Sequence, residues 1–426
     1  MIVDIRHVEI FAIVLMLLPL YVVAVTSSVA FEGRMETEAV GNLRAKVYGV
    51  SNLLDGYKTM VDSGMMTKDE AIGWIGDIIC GPRVDERRAV DEGIRIGERG
   101  YMIVWSLDGI TKIHPYQEGK DLKEINPDLY RVITSGDNEG VYRYMQTYDK
   151  EVPEEKIVYF SKYAPWGLII GATDYISEYK PPSLPISLFM LLAISVITVI
   201  LIYTIFGIFS KKRTFFVMGA LMLVILLLSS ATAVSSSEFS EWKQSSLIEE
   251  LGSKVRFAIA MCYSFKAMAD SGMMTKDEAI GWIGDIICGP RVDGKRDIAR
   301  GFLTGREGYM DIFDENGTYL VHPFYEGKNT KEFGSERYET VMKEKEGLIS
   351  YRWQNSGDPQ PREKIEAFGF FAPWGLFVLS TAYVDEYMEP VMTMRNYMAS
   401  AIALVAFASL FSIFLSNELR KVRGND

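Results

Sequence analysis

Three cysteines and three histidines among 426 residues leave little from which to build a metal centre or a disulfide framework. Cys80, Cys262 and Cys288 show no CxxC or other ligand spacing. A Cys80–Cys288 bridge would need the two copies of an internal repeat to face each other, and two half-buried thiols near a helix end are the plainer reading. No nucleophile–base pair, phosphate-cradling glycine loop or His/Cys cluster is present, so neither catalysis nor a cofactor is expected. Excess positive charge is missing too. The net charge of −11 argues against nucleic acid as a partner.

What the chain has in quantity is apolar sequence, 48% hydrophobic, gathered in four nearly uncharged runs at 8–30, 184–209, 215–234 and 391–415. Each is long enough to cross a hydrocarbon core of about 30 Å. Arg6 precedes the first run. Lys211, Lys212 and Arg213 fill the link 210–214, and Arg420, Lys421 and Arg423 lie in the tail 416–426. The positive-inside rule puts those three places in the cytoplasm and both large segments, 31–183 and 235–390, outside the cell membrane. Ser28-Val29-Ala30 resembles a signal-peptidase site, but the run before it is longer than a signal core and reads as an uncleaved anchor.

The two outside segments are copies. Residues 62–85 recur unchanged as 270–293, an offset of 208. The offset continues at His114-Pro115 and His322-Pro323, and at the Ala-Pro-Trp-Gly starting at Ala164 and at Ala372. Drift is heavy elsewhere, so the identical block is under constraint or has been locally homogenised.

Each copy opens with a long stretch interrupted by few breakers, Glu32–Met60 and Glu238–Met268, read as a helix rising from the membrane. A second helix follows, started by the capping boxes Thr67/Glu70 and Thr275/Glu278 and stopped at Gly81-Pro82. Ile72, Ile75 and Ile79 form its buried stripe. Gly73 and Gly76 inside it imply close approach by a backbone or a ligand. Thereafter the period becomes two. Strands are expected on either side of Asp108-Gly109 and of Asn316-Gly317, then near 140–148, 156–163 and 167–173. The expected fold class is α+β: two modules, each a long helix plus about five antiparallel strands, on a bundle of four membrane helices.

Gly100-Tyr101, Asp108-Gly109, His114-Pro115, Glu118-Gly119-Lys120, Lys156-x-x-Tyr159 and Pro165-Trp166-Gly167 occur in that order. The second copy has Gly308-Tyr309, Gly317, His322-Pro323, Glu326-Gly327-Lys328, Lys364 and Pro373-Trp374-Gly375. This run of motifs, present twice, resembles the extracytoplasmic single Cache domain. The resemblance implies a PAS-like sheet on a long helix, with a pocket for a small extracellular metabolite such as an organic acid. Two departures, Tyr159 against Ala367 and Ala89 against Asp297, are expected to mark a pocket wall where the copies differ.

Candidate ligand-binding residues come in pairs. Trp74/Trp282 would offer a flat wall and Asp77/Asp285 an acceptor, or else a packing anchor and a solvated carboxylate. Arg83/Arg291, with Arg88/Arg296 as similar candidates, would clamp a carboxylate, or else form a salt bridge such as one to Asp85. His114/His322 would be a pocket residue or a structural hydrogen-bonding group at a strand end. Tyr101/Tyr309 and Lys156/Lys364 would together hold a carboxylate, or else be core and surface.

These features predict a multi-pass membrane receptor that binds a small extracellular metabolite, organic acid or amino-acid-like, through two modules paired within one chain, with homodimerisation an open alternative. Its signal would pass to a separate cytoplasmic protein or a neighbouring membrane protein. The competing expectation is an accessory or scaffolding subunit that uses the modules as an assembly surface.

Overall fold

The computed structural model describes residues 36–146 (except 38), 153–179, 213–355 and 359–389, and part of 391–414. The four apolar runs lie wholly or largely outside these residues or their described side chains. Among the described residues no helix is long and apolar enough to cross a membrane.

In the first module, helix α1 (39–62) leads to α2 (Lys68–Cys80). The capping box forms as expected: Thr67 Oγ1 accepts from the Glu70 N–H at 3.2 Å, and Glu70 Oε2 accepts from the Thr67 N–H at 2.7 Å. Helix α2 ends at Gly81, φ 80°, where a Cβ would sit 1.9 Å from the Ala89 carbonyl oxygen. Only glycine fits that turn. A short hairpin follows, β1 (Arg83–Val84) and β2 (Arg87–Arg88), which the sequence pattern did not announce. The main strands are β3 (Tyr101–Ser106), β4 (Thr111–Ile113), β5 (Glu139–Gln146), β6 (Glu154–Tyr163) and β7 (Leu168–Tyr175). Helices α3 (Leu122–Ile125) and α4 (Pro127–Thr134) separate β4 from β5. The sheet is antiparallel, in the order β4-β3-β7-β6-β5.

The second module repeats this plan. It has α5 (Arg213–Asp270), α6 (Lys276–Ile287), the hairpin β8 (Arg291–Val292) and β9 (Lys295–Arg296), then β10 (Met310–Asp314), β11 (Tyr319–Val321), α7 (Ser335–Glu344), β12 (Gly347–Trp353), β13 (Arg362–Phe371) and β14 (Leu376–Tyr383). Its sheet order, β11-β10-β14-β13-β12, matches the first.

Alternation along the strands gives each sheet two buried faces. On the near face, Met102, Val104, Ile157, Tyr159 and Ile170 join Leu43, Val47 and Leu54 of α1 and Ile75, Ile78 and Ile79 of α2. This core continues without a break into Phe257, Met261 and Phe265 of α5 and Ile283 and Ile286 of α6. The two modules are therefore an internal pair sharing one core. Tyr57 and Phe265, the same position in each copy, meet at 6.0 Å, and Tyr57 OH hydrogen-bonds Ser264 Oγ at 3.1 Å. On the far face, Ile103, Trp105, Val158, Phe160 and Ile169 pack under α3 and α4 through Leu122, Leu129 and Ile133.

One clamp is built in two ways. In the first module Arg99 pairs with Glu154 and Glu178, and its guanidinium lies 4.1 Å over Tyr175. In the second, Glu307 occupies the Arg99 position and Arg362 the Glu154 position. Arg362 pairs with Glu307, Asp385 and Glu386 and lies 4.0 Å over Tyr383. The cation keeps its place although the segment that carries it has changed, from the turn before β3 to strand β13.

Candidate ligand site on the far sheet faces

The identical block does not reach the far face. Its Ile75, Ile78 and Ile79 enter the shared core, while Ile72 is only half-buried. Trp74 and Trp282 pack against the same core, and the Trp282 ring lies 3.4 Å from where a Cβ on Gly56 of α1 would be. Asp77 accepts from Arg88 Nη1 at 2.8 Å, and Asp285 from Arg296 Nη1 at 2.9 Å. Arg83 and Arg291 are exposed and each donates through Nε to a glutamate, Glu118 or Glu326, at 2.9 Å. Their partner is thus that glutamate and not Asp85. Arg88 and Arg296 are buried against the same glutamates. The close approach inferred at Gly76 is by the Arg88 guanidinium, 2.4 Å from the position of an added Cβ, whereas Gly73 faces open space. Asp77 and Asp285 thus fasten helices to hairpins, Arg83 and Arg291 fasten the hairpins to the loops after β4 and β11, and Trp74 and Trp282 pack against the shared core. All three cysteines are free and buried, and Cys80 Sγ donates to the Met102 carbonyl at 3.1 Å.

Tyr101, His114 and Lys156 do come together on the far face. Lys156 Nζ donates to Tyr101 OH at 2.8 Å and lies 4.2 Å from the centre of that ring and 5.0 Å from that of Tyr175. His114 packs edge-on against Tyr101 at 5.1 Å. Burial drives the His114 imidazole down to about 3, with Lys156 adding to the effect, so the ring is neutral at any physiological pH. Its Nδ1 accepts from the Tyr116 N–H at 3.0 Å, which leaves the proton on Nε2 as a donor. Burial also lowers the Lys156 ammonium to about 8, against an opposing pull from Asp174. No carboxylate among the described residues forms an ion pair with Lys156. Around these donors lie the apolar Ile103, Val158 and Leu129 and the hydroxyl-bearing Thr173, Tyr144 and Tyr175.

The second module gathers Tyr309, His322 and Lys364 in the same way. Lys364 Nζ is 3.7 Å over Tyr309, 5.2 Å from Tyr383 and 5.6 Å from Trp353. His322 Nδ1 accepts from the Phe324 N–H at 3.0 Å, and Nε2 faces Tyr309 OH at 3.4 Å. Burial holds this imidazole well below its usual range. Here the surroundings are charged. Asp311 stands at the Ile103 position, Arg337 at that of Leu129 and Glu366 at that of Val158. Arg337 Nη2 donates to Glu366 Oε2 at 2.7 Å, its Nη1 to Thr330 Oγ1 at 2.7 Å, and Tyr351 OH donates to Glu366 Oε2 at 2.6 Å.

Reading the strands by periodicity missed Asp311, Arg337 and Glu366. The available signal was a charge inside an apolar alternation, Met310-Asp-Ile-Phe against Met102-Ile-Val-Trp and Lys364-Ile-Glu-Ala against Lys156-Ile-Val-Tyr. The differences singled out earlier lie elsewhere. Tyr159 is on the near face, where its OH donates to Glu139 at 2.6 Å, and Ala89 and Asp297 lie beside the Gly81 and Gly289 turns.

Among solved structures the chain resembles a Cache chemosensory domain described in connection with carboxylic acid recognition, at 23% identity over 31% of this chain and 88% of that one, with a TM-score of 0.25. It also resembles the periplasmic sensor domain of a chemotaxis protein, at 24% identity over 31% and 90%, TM-score 0.25. A methyl-accepting chemotaxis protein from Vibrio parahaemolyticus matches at 15% identity over 36% and 98%, TM-score 0.24. The model of the single Cache domain 2 family matches residues 35–182 and again residues 248–396. Those two matches cover well over half of the chain and coincide with the two paired modules, so the chain belongs to the single Cache domain 2 family, whose domains are extracytoplasmic ligand-sensing modules.

Proposed function

We propose that this protein is a membrane-bound receptor whose first module binds a small extracellular organic acid. The observation that carries the reading is Lys156. It is a buried ammonium beside the Tyr101 hydroxyl and the His114 imidazole, on a face of apolar, threonine and tyrosine side chains. A buried cation is costly unless an anion joins it, and a ligand carboxylate would complete the group. The four apolar runs and their basic flanks support a multi-pass chain with both modules outside the cell. Pairing through α1 and α5 supports transmission by a small shift of one long helix against the other, passed on to a separate cytoplasmic partner.

The test is calorimetric titration of the detergent-solubilised full chain with short carboxylic acids, beside a Lys156→Met variant. Binding that disappears in the variant is expected. If no acid binds the wild-type protein, the accessory or scaffolding role becomes the better account.

A further inference from the structure

The second module presents a buried group that its own residues leave incomplete. Asp311 is 1% exposed, and its Oδ1 has no hydrogen-bond partner among the described residues. Buried carboxylate oxygens are nearly always satisfied, and an orphan calls for an explanation. Its neighbour Glu366 sets the contrast, since both oxygens accept from Arg337 and one also from Tyr351.

Nor is Asp311 rescued by the two cations of the far face. Arg337 is spent on Glu366, Thr330 and Tyr319. Lys364 stands over the Tyr309 ring, 3.7 Å from its centre. Both cations still act on it at longer range. Burial pushes the Asp311 carboxyl up to about 7, with Arg337 and Lys364 pulling it down and Glu366 pushing it further up. Asp311 on β10 and Lys364 on β13 face the same side of the sheet, with only β14 between their strands. An acceptor and a cation thus share one face, separated by more than a direct contact.

We propose that the far face of the second module is a site for a zwitterionic ligand of the amino-acid class, its carboxylate on Lys364 and its ammonium on Asp311, while the first module takes a carboxylate alone. The inference rests on the receptor reading above and adds the charge rule that separates the two modules. A single position carries that rule. Ile103 in the first module gives a donor group nothing to bind, and would leave an ammonium desolvated and unpaired. Asp311 in the second gives it a charge-assisted partner. The remaining contacts toward the carboxylate, Tyr101/Tyr309, His114/His322 and Lys156/Lys364, are common to both modules. A site built around a ligand's polar group discriminates strongly against the analogue that lacks it, because its own buried group is then left unpaired.

The experiment uses the full chain in detergent, in the Lys156→Met background so that only the second module is read. Free L-amino acids and, pair by pair, their des-amino carboxylic acids are titrated at millimolar concentration. The same titrations are run on Asp311→Asn, which keeps the shape, and on Asp311→Ile, which installs the first module's residue. Amino acids are expected to bind, to bind more tightly than their des-amino partners, and to weaken by roughly tenfold or more in both Asp311 variants. Amino-acid affinity unchanged by Asp311→Asn would overturn the proposal, as would absence of amino-acid binding before Asp311 is altered. If acids still bind the wild-type chain through Lys156 in that event, only this inference falls. If they do not, the receptor reading falls with it.

Discussion

The near and far faces of the two modules have diverged at very different rates. On the helix side, the contacts made by the identical block recur atom for atom. Arg88 meets Asp77 at 2.8 Å and Arg296 meets Asp285 at 2.9 Å, while Lys68 donates to the Trp166 carbonyl and Lys276 to that of Trp374. On the far side, three apolar residues of one module correspond to three charged residues of the other. The identical block serves the face on which the modules hold each other, where any change must suit two partners. The far face answers to its own contents alone. Exchanging a packed apolar pair for a buried ion pair is close to neutral when both partners change together, so that face could change character without undoing the fold.

This difference can be broken most sharply at Glu366. Glu366→Val alone leaves the Arg337 guanidinium buried without its counterion and is expected to cost about 3–5 kcal/mol in a denaturation experiment. Adding Arg337→Leu, so that the second module carries the residues of the first, should recover most of that loss. A single variant as stable as wild type would mean that the charged far face is not an interdependent unit.

A second test sharpens the first module's side through pH. The ammonium of Lys156 titrates at about 8 in the folded chain because it is buried. Acid affinity should therefore be flat below that value and fall about tenfold per pH unit above it, as the charge that holds the anion is lost. His114, held at about 3, adds no step between pH 5 and 8. The sign for folding is opposite. An unfolded lysine keeps its proton to about 10.4, so without ligand the Lys156 contribution to stability rises with pH between about 8 and that value. A binding curve that breaks near pH 6 would point to some other group.

The smallest effect is expected at the clamp. Arg99→Glu places a third carboxylate beside Glu154 and Glu178 and should cost about 1 kcal/mol, since the group is partly exposed. Glu154→Arg added to it recreates the arrangement of Arg362 with Glu307 and should restore stability in a thermal melt.

Local signals foretold much of this molecule. The capping box at Thr67, the stop at Gly81-Pro82 and the Asp108-Gly109 hairpin depend on neighbouring residues, and each formed where its signal stood. The pairing of α1 with α5 was foreshadowed by the repeat itself. What escaped was chemistry that depends on partners far apart in the chain. Nothing at Arg83 indicates Glu118, 35 residues on, and nothing at Gly76 indicates that a guanidinium will lie flat against it. Asp311 and Glu366 were overlooked because the apolar residues on either side of each satisfied a strand pattern. The side chains that break a pattern said more about the site than those that keep it.

The clamp also bears on how the two halves of the gene can exchange material. An exchange tract from the second half that replaced residue 99 but stopped before 154 would join Glu to Glu154. The reciprocal tract would set Arg against Arg362. The first product sets three carboxylates together and the second sets two guanidiniums side by side, although Arg362 keeps Asp385 and Glu386. Each costs about 1 kcal/mol, so a tract that ends before position 99 or runs on through 154 is favoured. The invariant stretch ends at Asp85, inside that limit.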